Sequence, residues 1–450
     1  MIRILPTDIF IFILVAAGLI FILLARRREY WRTAWQQVRS NHIAIISLVV
    51  LSIYASIALL DSIHFEDKKS ANTLSLLDYI VAPLNQQVEK TYSAPFATYQ
   101  YTKETLELPK GKTVRIYPRL KYAATHLEKS DSKTRDITIR VIKGFLQGTL
   151  SAIILTAIIL GIYDLFTKTF LRNDPHHGRG KRPSKRTVIN IMKISFALTI
   201  PLAILIHIAP YYHIFGTDKV GSDVFYRSIK SIRTGLVIGS VTTLIVTPFA
   251  IFFGVVAGYF GGIIDDIIQY VYSTLASIPS VLLIVSFMLL VEFGESGGDI
   301  AWRADRRLLS LCIIMGITSW TGLCRLIRGE TLKLREHEYV NAALAFGVNR
   351  LKILSRHIVP NLMHIVLISF ILRFSGLVLA EAVLAYIGIG VDPAMESWGN
   401  MINTARLELA REPVVWWNLI AAFFFMFGLV LPANLFGDAL RDALDPRLKT

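Results

Sequence analysis

The segment CRLIRGETLKLREHEYVNAALAFGVNRLKILSRHIVPNLM, from Cys324 to Met363, decides how the rest of the chain is interpreted. It is basic and rich in helix formers, and strongly apolar runs lie on both sides of it. A chain that enters and leaves a membrane around such a segment presents it to the cytoplasm. The first question is therefore whether the flanking runs cross a membrane.

Composition places the chain among membrane proteins. Hydrophobic residues make up 53% of its 450 residues, more than is usual for a soluble protein. The net charge is +15, but Lys and Arg occur in short blocks beside apolar runs rather than as one solvated face. This distribution argues against nucleic-acid binding and is typical of polytopic membrane proteins. The cysteines, Cys312 and Cys324, would be about 18 Å apart along a helix, too far for a disulfide.

Apolar runs of sufficient length predict about nine spanning helices, with the N-terminus outside and the C-terminus inside. The basic blocks at 26–39, 168–186 and 325–356 then all lie on the cytoplasmic side. The first run is followed, not preceded, by its arginines, which predicts an uncleaved span. The predicted spans are Ile9–Ala25, Ile43–Leu60, Val141–Phe166, Val188–Ala209, Leu236–Tyr259, Ile267–Val291, Leu308–Leu323, Ile365–Ile387 and Val414–Phe436.

Two regions between the spans are polar. Residues 61–140 have mixed charge and no span, which predicts a small extracytoplasmic domain or a long loop, with a weak strand pattern at Thr113–Tyr117. Its Gly111–Thr113 lacks the first glycine of a phosphate loop and is interpreted as a turn. The basic stretch Lys168–Arg186 is predicted to be cytoplasmic and to contact anionic lipid headgroups.

The central segment has the pattern of a helix, a turn and a second helix. Helix formers dominate Ile327–Phe346, Gly347 breaks the pattern, and the run Asn349–His357 is predicted to end at Pro360. Pattern alone leaves open a solvated loop, an amphipathic helix on the lipid surface and a docking site for another protein.

Small residues in this segment favour close approach by another protein. Ala342, Ala343 and Phe346 are predicted to form a small, partly apolar face surrounded by Lys and Arg.

The segment resembles the cytoplasmic coupling loop of ABC-importer permeases. In that family Glu-Ala-Ala is followed by a Gly and then by an Ile-x-Leu-Pro ending. The matching residues here are Asn341, Ala342, Ala343, Gly347 and Ile358–Pro360. Asn341 stands where the family usually has Glu, so it keeps the hydrogen-bonding capacity and loses the charge. Glu338, one turn earlier, is a candidate substitute for that carboxylate.

Further motifs follow in the order of the same family. The stretch GTDKVGSDVFYRSI (Gly216–Ile229) is similar to its Gly-Thr-Asp-x-x-Gly-Arg-Asp signature, with Ser222 in place of the usual Arg. The signature residues are Gly216, Thr217, Asp218 and Asp223. Residues 35–60 and 210–450 together resemble oligopeptide and dipeptide permeases of the C-subunit type. The other matching motifs are Trp35–Ser52, Gly258–Gly262, Ser277–Leu283, Leu379–Pro393, Ser397–Ile402 and Phe436–Leu448.

The resemblance implies an all-α polytopic membrane protein with the six-helix, MetI-like domain of type I ABC importers. About three extra spans and a small extracytoplasmic α/β or irregular domain would precede or interrupt it. The predicted divisions are 1–34 (an extra span and basic linker), 35–60 (the first family-type span), 61–140 (the extracytoplasmic domain), 141–209 (two extra spans with a basic loop) and 210–450 (the core, with its coupling loop at 325–364).

The resemblance also implies a heteromeric importer in the bacterial inner membrane, most directly for di- and oligopeptides. Its partners would be a second permease subunit, two ABC ATPase subunits, an extracytoplasmic solute-binding protein and membrane lipid. The coupling helix, about His337–Phe346, would sit in an ATPase cleft, and ATPase closure would rock the spans. The candidate coupling residues are Glu338, Asn341, Ala342, Ala343, Gly347 and Pro360.

This chain is predicted to carry no catalytic centre, metal site or cofactor, with ATP and magnesium bound by the ATPase subunits. The alternatives are an ABC permease for nickel or another small solute, a secondary transporter or channel, and a membrane-anchored scaffold built on residues 61–140. A secondary transporter would show an inverted repeat or several buried carboxylates, and the sequence shows neither.

Ionisable residues inside a span are functional candidates by default. Arg373 and Glu381 lie near one face of the span Ile365–Ile387 and are candidate residues of the translocation pathway. The Glu matches a position common in the family, and pairing with another helix is favoured for Arg373 over contact with a peptide carboxylate. Asp265 and Asp266 are interpreted as helix caps.

Overall fold

The computed structural model describes residues 2–25, 35, 37–38, 41–66, 73–108, 112–127, 132–170, 185–294 and 299–444. The chain divides into two compact units, residues 1–80 with 227–450 and residues 81–226. Within the described ranges, six helices are long and apolar enough to cross a membrane, and a bent helix pair would supply a seventh span. Two shorter apolar helices correspond to the predicted first and fourth spans.

The first unit begins with two apolar helices and a small sheet. Its strands β1 (Ile2–Arg3), β2 (His64–Glu66) and β3 (Thr73–Ser75) form an antiparallel sheet in this order, with Ile2 opposite Phe65. Since β1 precedes one predicted span and β2 follows the next, this pairing puts both on the same side of the membrane, as the predicted topology requires. The elements are β1 (Ile2–Arg3), α1 (Pro6–Ala25), α2 (His42–Asp61), β2 (His64–Glu66), β3 (Thr73–Ser75) and α3 (Leu76–Ile80).

The second unit combines a β-hairpin with a helical hairpin. The strands β4 and β5 pair antiparallel, which confirms the strand predicted near Thr113. Lys112 and Thr113 lie in β5, so the turn predicted at Gly111–Thr113 is wrong for these two residues, while Gly111 lies outside the described residues. The elements are α4 (Ala82–Gln86), β4 (Glu104–Leu108), β5 (Lys112–Ile116), α5 (Lys133–Phe170) and α6 (Lys185–Ile208).

Two glycines one turn apart allow α5 and α6 to pack closely. A Cβ atom on Gly144 would lie 2.6 Å from the Ile204 Cα, and one on Gly148 would lie 2.7 Å from the Ile200 Cα. Small residues at this spacing let helix backbones approach each other in a membrane. The basic loop predicted to contact lipid joins these helices, and residues 171–184 of it lie outside the described residues.

The remainder of the first unit is helical. Its elements are α7 (Val224–Phe260), α8 (Gly262–Ser277), α9 (Ser280–Gly294), α10 (Ile300–Arg335), α11 (Glu338–Ala345), α12 (Arg350–Ile353), a π-helical turn (Leu354–Ile358), α13 (Val359–Tyr386), α14 (Trp398–Glu408) and α15 (Trp417–Leu444).

The predicted span Ile267–Val291 is not one straight helix. Its two halves, α8 and α9, meet at an angle of 83°. Pro279 lies at the break, and Ile278 before it is extended (φ −88°, ψ 131°). A residue that precedes proline is disfavoured in the helical region, so the bend follows from the sequence Ile-Pro.

Helix α7 packs closely on three other helices through its glycines. Cβ atoms on Gly254 and Gly258 would lie 2.8 and 2.7 Å from carbonyl oxygens of α10. Nearer the start of α7, Gly235 lies under the Trp398 ring of α14 and Gly239 under the Phe374 ring of α13. The sequence therefore keeps α7 narrow where its neighbours cross it.

A buried ionic cluster fastens the start of α1 to the core of the first unit. The Arg233 guanidinium of α7 donates to Asp8 Oδ1 at 2.7 Å and to Asp305 Oδ1 of α10 at 3.1 Å. Thr7 donates from its backbone N–H to Asp305 Oδ2 at 2.8 Å, and His64 Nδ1 lies 3.0 Å from Asp8 Oδ2. All of these side chains are buried. The additional N-terminal helix is therefore an integral part of this unit.

Candidate functional site

The central segment forms a short helix between two breaks. Helix α10 ends at Arg335, and His337 is extended (φ −66°, ψ 142°) before α11 begins. The single helix predicted over Ile327–Phe346 is therefore wrong, whereas the predicted coupling helix His337–Phe346 matches α11 with its two caps. Gly347 follows with φ +72°, a left-handed conformation that glycine adopts without steric cost.

One face of helix α11 packs against an apolar core cluster of the first unit. Val340 is only 3% exposed and belongs to an apolar cluster with Tyr259, Ile353 and Ile358. Ala343 packs against the same cluster, while Ala342 is exposed and Phe346 is 87% exposed. The predicted single face of Ala342, Ala343 and Phe346 is therefore wrong, because Ala343 points toward the core side.

The side of α11 that faces away from the core carries mostly large apolar side chains. Tyr339, Leu344, Phe346 and, beyond the turn, Leu351 are exposed large side chains. Asn341 is also exposed, and its amide donates to the Glu336 carbonyl oxygen at 3.3 Å. Exposed large apolar side chains that occur together in one short segment are typical of contact surfaces.

The segment Cys324–Met363, called the platform from here on, is continuous with the next membrane helix. The Asn349 side chain caps α12 by accepting a hydrogen bond from the Leu351 N–H at 3.0 Å. The π-helical turn joins α12 directly to α13, so helical structure runs from Arg350 to Tyr386. Pro360 lies just after the π-helical turn, in the first turn of α13, so the change of helix type coincides with the proline's missing N–H. The predicted helix end at Pro360 is therefore wrong.

An ion pair braces the platform against the bent helix pair. Arg328 of α10 donates from Nε and Nη2 to the two Asp265 oxygens of α8, at 2.5 and 2.6 Å. Arg335 Nη1 donates to the Tyr259 carbonyl oxygen of α7 at 3.3 Å. Asp265 was expected to act as a helix cap, but its carboxylate joins two helices. These two contacts join α10 to α8 and to α7 just before α11 begins.

The four signature residues of the second unit hold one loop in place. Gly216 and Gly221 have φ of +67° and +82°, and Cβ atoms there would lie 2.2 Å from Ser93 O and 1.8 Å from Glu89 O. Thr217 Oγ1 donates to the Thr91 carbonyl oxygen at 2.8 Å. The signature thus encodes a tight backbone approach that other side chains at the glycines would prevent.

The two signature aspartates complete this loop. Asp218 Oδ1 accepts hydrogen bonds from the Val220 and Ser222 N–H groups at 2.9 and 2.8 Å. Asp223 Oδ1 accepts from the Tyr226 N–H at 3.0 Å at the start of α7. These contacts are structural, and they explain why acidic residues occur at both positions.

A buried histidine lies between two carboxylates in the same loop. His213 Nδ1 is 2.6 Å from Asp223 Oδ2, and its Nε2 is 3.7 Å from Glu89 Oε1. Burial disfavours the charged imidazole, but Asp223 and Glu89 outweigh this effect and raise the pKa of His213 to about 9. Burial also opposes ionisation of Glu89, but its hydrogen bonds with His213 and with backbone N–H groups lower the Glu89 pKa.

The stability of this loop is expected to depend on pH. The raised His213 pKa contributes stability that is complete below the ordinary value of 6.5 and is lost as the pH rises to about 9. The lowered Glu89 pKa contributes stability that is lost as the pH falls below 4.5. The protection factors of residues 211–226 in hydrogen exchange, which are corrected for the intrinsic pH dependence of exchange, should therefore be largest between these two limits and smaller at pH 9.

The variant His213→Gln should remove the alkaline part of this dependence. Unchanged alkaline dependence in this variant would show that another group is responsible.

Comparison with known proteins identifies the fold that carries these features. Residues 250–450 match the family described as "Binding-protein-dependent transport system inner membrane component". The dipeptide transport system permease protein DppC of Bacillus subtilis is 32% identical over 237 residues, which cover 53% of this chain and 69% of that protein. This chain belongs to the binding-protein-dependent permease family.

Two further relatives have the same extent of similarity to this permease. The oligopeptide transport system permease protein OppC of Haemophilus influenzae is 33% identical over 236 residues, 52% of this chain and 71% of the relative. The glutathione transport system permease protein GsiD of Pectobacterium atrosepticum is 32% identical over 238 residues, 53% of this chain and 74% of the relative. The resemblance to oligopeptide and dipeptide permeases is confirmed.

The family and the apolar helices together establish the setting of this permease. It is a multi-pass protein of the bacterial inner membrane and a permease subunit of a binding-protein-dependent ABC importer. The predicted all-α, MetI-like fold class is confirmed. Family membership implies, in general terms, partnership with ATPase and solute-binding proteins.

The structure separates the two candidate pathway residues of the permease. Arg373 is half-buried and its Nη1 donates to the Ser319 carbonyl oxygen of α10 at 2.9 Å. Glu381 is buried, and its Oε1 lies 2.4 Å from where a Gly399 Cβ would be, at the start of α14. Arg373 thus joins two helices through a backbone carbonyl, and Glu381 packs against a different element.

The sequence patterns did not reveal the residues that hold the N-terminal helix α1 and the signature loop of the permease in place. Asp8 and Arg233 are 225 residues apart, and no local pattern pairs them. His213 and Glu89 are more than a hundred residues apart, and no spacing rule joins them. The one available signal was an aspartate at the head of an apolar run, which requires a partner when it is buried.

Proposed function

We propose that this permease imports di- or oligopeptides. The relatives described above are permeases for dipeptides, oligopeptides and glutathione, which is itself a small peptide. Their similarity extends over the part of the chain that contains the coupling platform and the spans of the family fold. This evidence favours peptides over nickel, the alternative solute.

The proposed assembly has this chain paired with a different second permease subunit. Two separate ATPase subunits would bind and hydrolyse ATP with magnesium, and an extracytoplasmic binding protein would deliver the peptide. In this proposal the chain is not itself an enzyme and holds no cofactor.

The docking of an ATPase subunit on this chain is proposed from one observation. The exposed side of α11 is apolar, and an ion pair and a hydrogen bond join the platform to the membrane helices. An ATPase cleft would receive Phe346, Leu344 and Ala342, the side chains that face away from the core. Asn341 and Glu338 would lie beside that contact, with Gly347 and Pro360 shaping the chain that follows α11. Ala343, packed on the core cluster, would hold α11 in place.

Closure of the ATPases would then move the spans as rigid bodies. A displacement of α11 is passed to α13 through α12 and the π-helical turn, and to α8 and α10 through the Arg328–Asp265 pair. The spans alternate between inward- and outward-facing arrangements, as in other transitions that rotate packed elements about interfaces. Arg373, half-exposed on α13, would face the pathway, and buried Glu381 would position α14 behind it.

The variant Phe346→Asp is expected to abolish docking of the ATPases. Phe346 is 87% exposed, so the change removes an apolar contact and adds a charge without disturbing the membrane core. Loss of one central aromatic anchor typically weakens a protein interface by about 2 kcal/mol or more. Co-purification of ATPase subunits with the full-length chain should fall below detection, and peptide uptake should cease.

The matched control is Lys333→Ala, which changes an exposed side chain paired with Glu330 at the end of α10. It should retain the ATPases. Retention of the ATPases by Phe346→Asp would contradict the assignment of α11 as the docking element. Variants of Ala343 are less informative, because that residue packs on the core.

Substrate class is tested by uptake in a strain that lacks this permease. Loss of labelled di- and oligopeptide uptake, restored by the wild-type chain, is expected. Normal peptide uptake with impaired nickel uptake would contradict the proposal and favour the alternative.

A further inference from the structure

A shallow pocket lies beside α11 on the platform. It has a volume of about 180 Å³, and Val340 lies at its base. The other lining residues come from the end of α7, the end of α10, α11 itself and the start of α12: Tyr259, Phe260, Arg335, Asn341, Leu344 and Arg350.

The pocket is positively charged. Arg335 and Arg350 each contribute a guanidinium group, and none of the described residues that line the pocket is acidic. Arg335 Nη1 donates to the Tyr259 carbonyl oxygen at 3.3 Å, and Arg335 Nη2 forms a long ion pair of 4.0 Å with Glu336, a mostly exposed residue that does not line the pocket. Asn341 is uncharged and its amide donates to the Glu336 carbonyl oxygen, so it does not neutralise the two arginines.

The rim of the pocket is apolar. Phe260, Leu344 and, further out, Phe346 are exposed large side chains around the two arginines. Arginine is enriched among the residues that dominate the binding energy of protein–protein interfaces, where the surrounding contacts exclude water from it. A lipid headgroup needs no such apolar rim, so the arrangement favours a protein partner.

We propose that this pocket binds a carboxylate side chain, Asp or Glu, presented by the ATPase subunit. Guanidinium groups bind carboxylates through paired, charge-assisted hydrogen bonds, and both arginines would contribute donors. The contact therefore has its positive side on the permease and its negative side on the ATPase. This proposal rests on the proposed function, because it requires that the ATPase docks on α11.

The test compares two basic residues of one short helix. Arg350 lines the pocket, whereas Lys352, also exposed, does not. The affinity of ATPase subunits, first co-purified with the full-length wild-type chain and then separated, is measured for each variant in detergent. Arg350→Gln should weaken binding about tenfold and reduce its salt dependence, while Lys352→Gln should change it by less than about twofold.

A second variant tests the sign of the charge. Asn341→Glu places a carboxylate inside the pocket, where it would neutralise the arginines and repel the partner's carboxylate. Binding should again weaken about tenfold, and more strongly at low salt than at high salt. Stronger binding by Asn341→Glu would show that the ATPase presents a basic group and would overturn the proposal.

The outcomes separate this proposal from the docking assignment. If Phe346→Asp loses the ATPase while Arg350→Gln and Asn341→Glu bind normally, docking on α11 stands and the carboxylate contact is refuted. If Phe346→Asp also binds normally, the proposed function fails. Normal ATPase binding by Arg350→Gln, with weaker binding of the variant to vesicles containing anionic lipid, would assign the pocket to lipid and refute the proposal.

Discussion

Replacement of Arg233 by methionine is expected to destabilise the permease more than any other single change considered. The guanidinium is buried and hydrogen-bonded to Asp8 and Asp305, which are buried too. Its removal would take the guanidinium from two buried carboxylates and leave the His64 ring beside Asp8 and the Thr7 N–H on Asp305. Breaking a buried ion pair in this way costs about 3–5 kcal/mol. The melting temperature of the purified protein should fall by roughly 5 °C.

A compensated variant distinguishes charge from packing. Asp8→Asn and Asp305→Asn, added to Arg233→Met, remove the uncompensated carboxylates and should recover much of the lost stability, because neutral replacements of buried ion pairs are often tolerated. Arg306→Met, a change at an exposed arginine over the Trp302 ring, is the matched control and should have little effect. No recovery in the triple variant would show that Arg233 acts through its volume.

The variant Gly258→Ala is expected to loosen the contact between α7 and α10 beside the coupling platform. The added Cβ would lie 2.7 Å from the Arg328 carbonyl oxygen and 2.7 Å from the Thr331 Cβ, so the helices must separate. Overpacking of this kind costs about 1–3 kcal/mol. Arg328 also carries the brace to Asp265, so the change should reduce peptide-stimulated ATP hydrolysis in the assembled transporter as well as stability.

The control for this variant is Gly329→Ala in α10. A Cβ atom there meets nothing within 4 Å, and alanine in a helix is favoured over glycine by about 1 kcal/mol. The control should therefore be neutral or slightly stabilised. Equal behaviour of the two variants would mean that α7 and α10 are not in close contact in the working transporter.

Much of the fold could be predicted because a membrane-spanning helix is recognised from a local run of apolar residues. A run of apolar residues long enough to cross a bilayer has few structures open to it besides a helix. Eight of the nine predicted spans each correspond to a single apolar helix, and the ninth is the bent pair α8 and α9. The coupling helix was predictable for a similar reason, since Gly347 needs a left-handed backbone and ends the helix. The strand near Thr113 followed from alternation of side chains.

The errors have a common origin in the tertiary environment. The break at His337 occurs within a run of helix formers, because Val340 must reach the core cluster below the platform. Pro360 was taken as a helix end, but the π-helical turn lets the helix continue through it. Whether Ala343 faces a partner or the core depends on where α11 lies, and helix periodicity alone does not fix that.

The sequence by itself determined most of the apolar helices, the short helix α11 and the family, because hydropathy and ordered motifs are properties of neighbouring residues. Only the tertiary structure decided that Asp8 pairs with Arg233, that Asp265 braces Arg328, and that Arg335, Asn341 and Arg350 line one pocket. These groups are far apart in the chain, and their energies depend on burial and on distances of a few ångströms. Packing sets those quantities, and no local pattern records them.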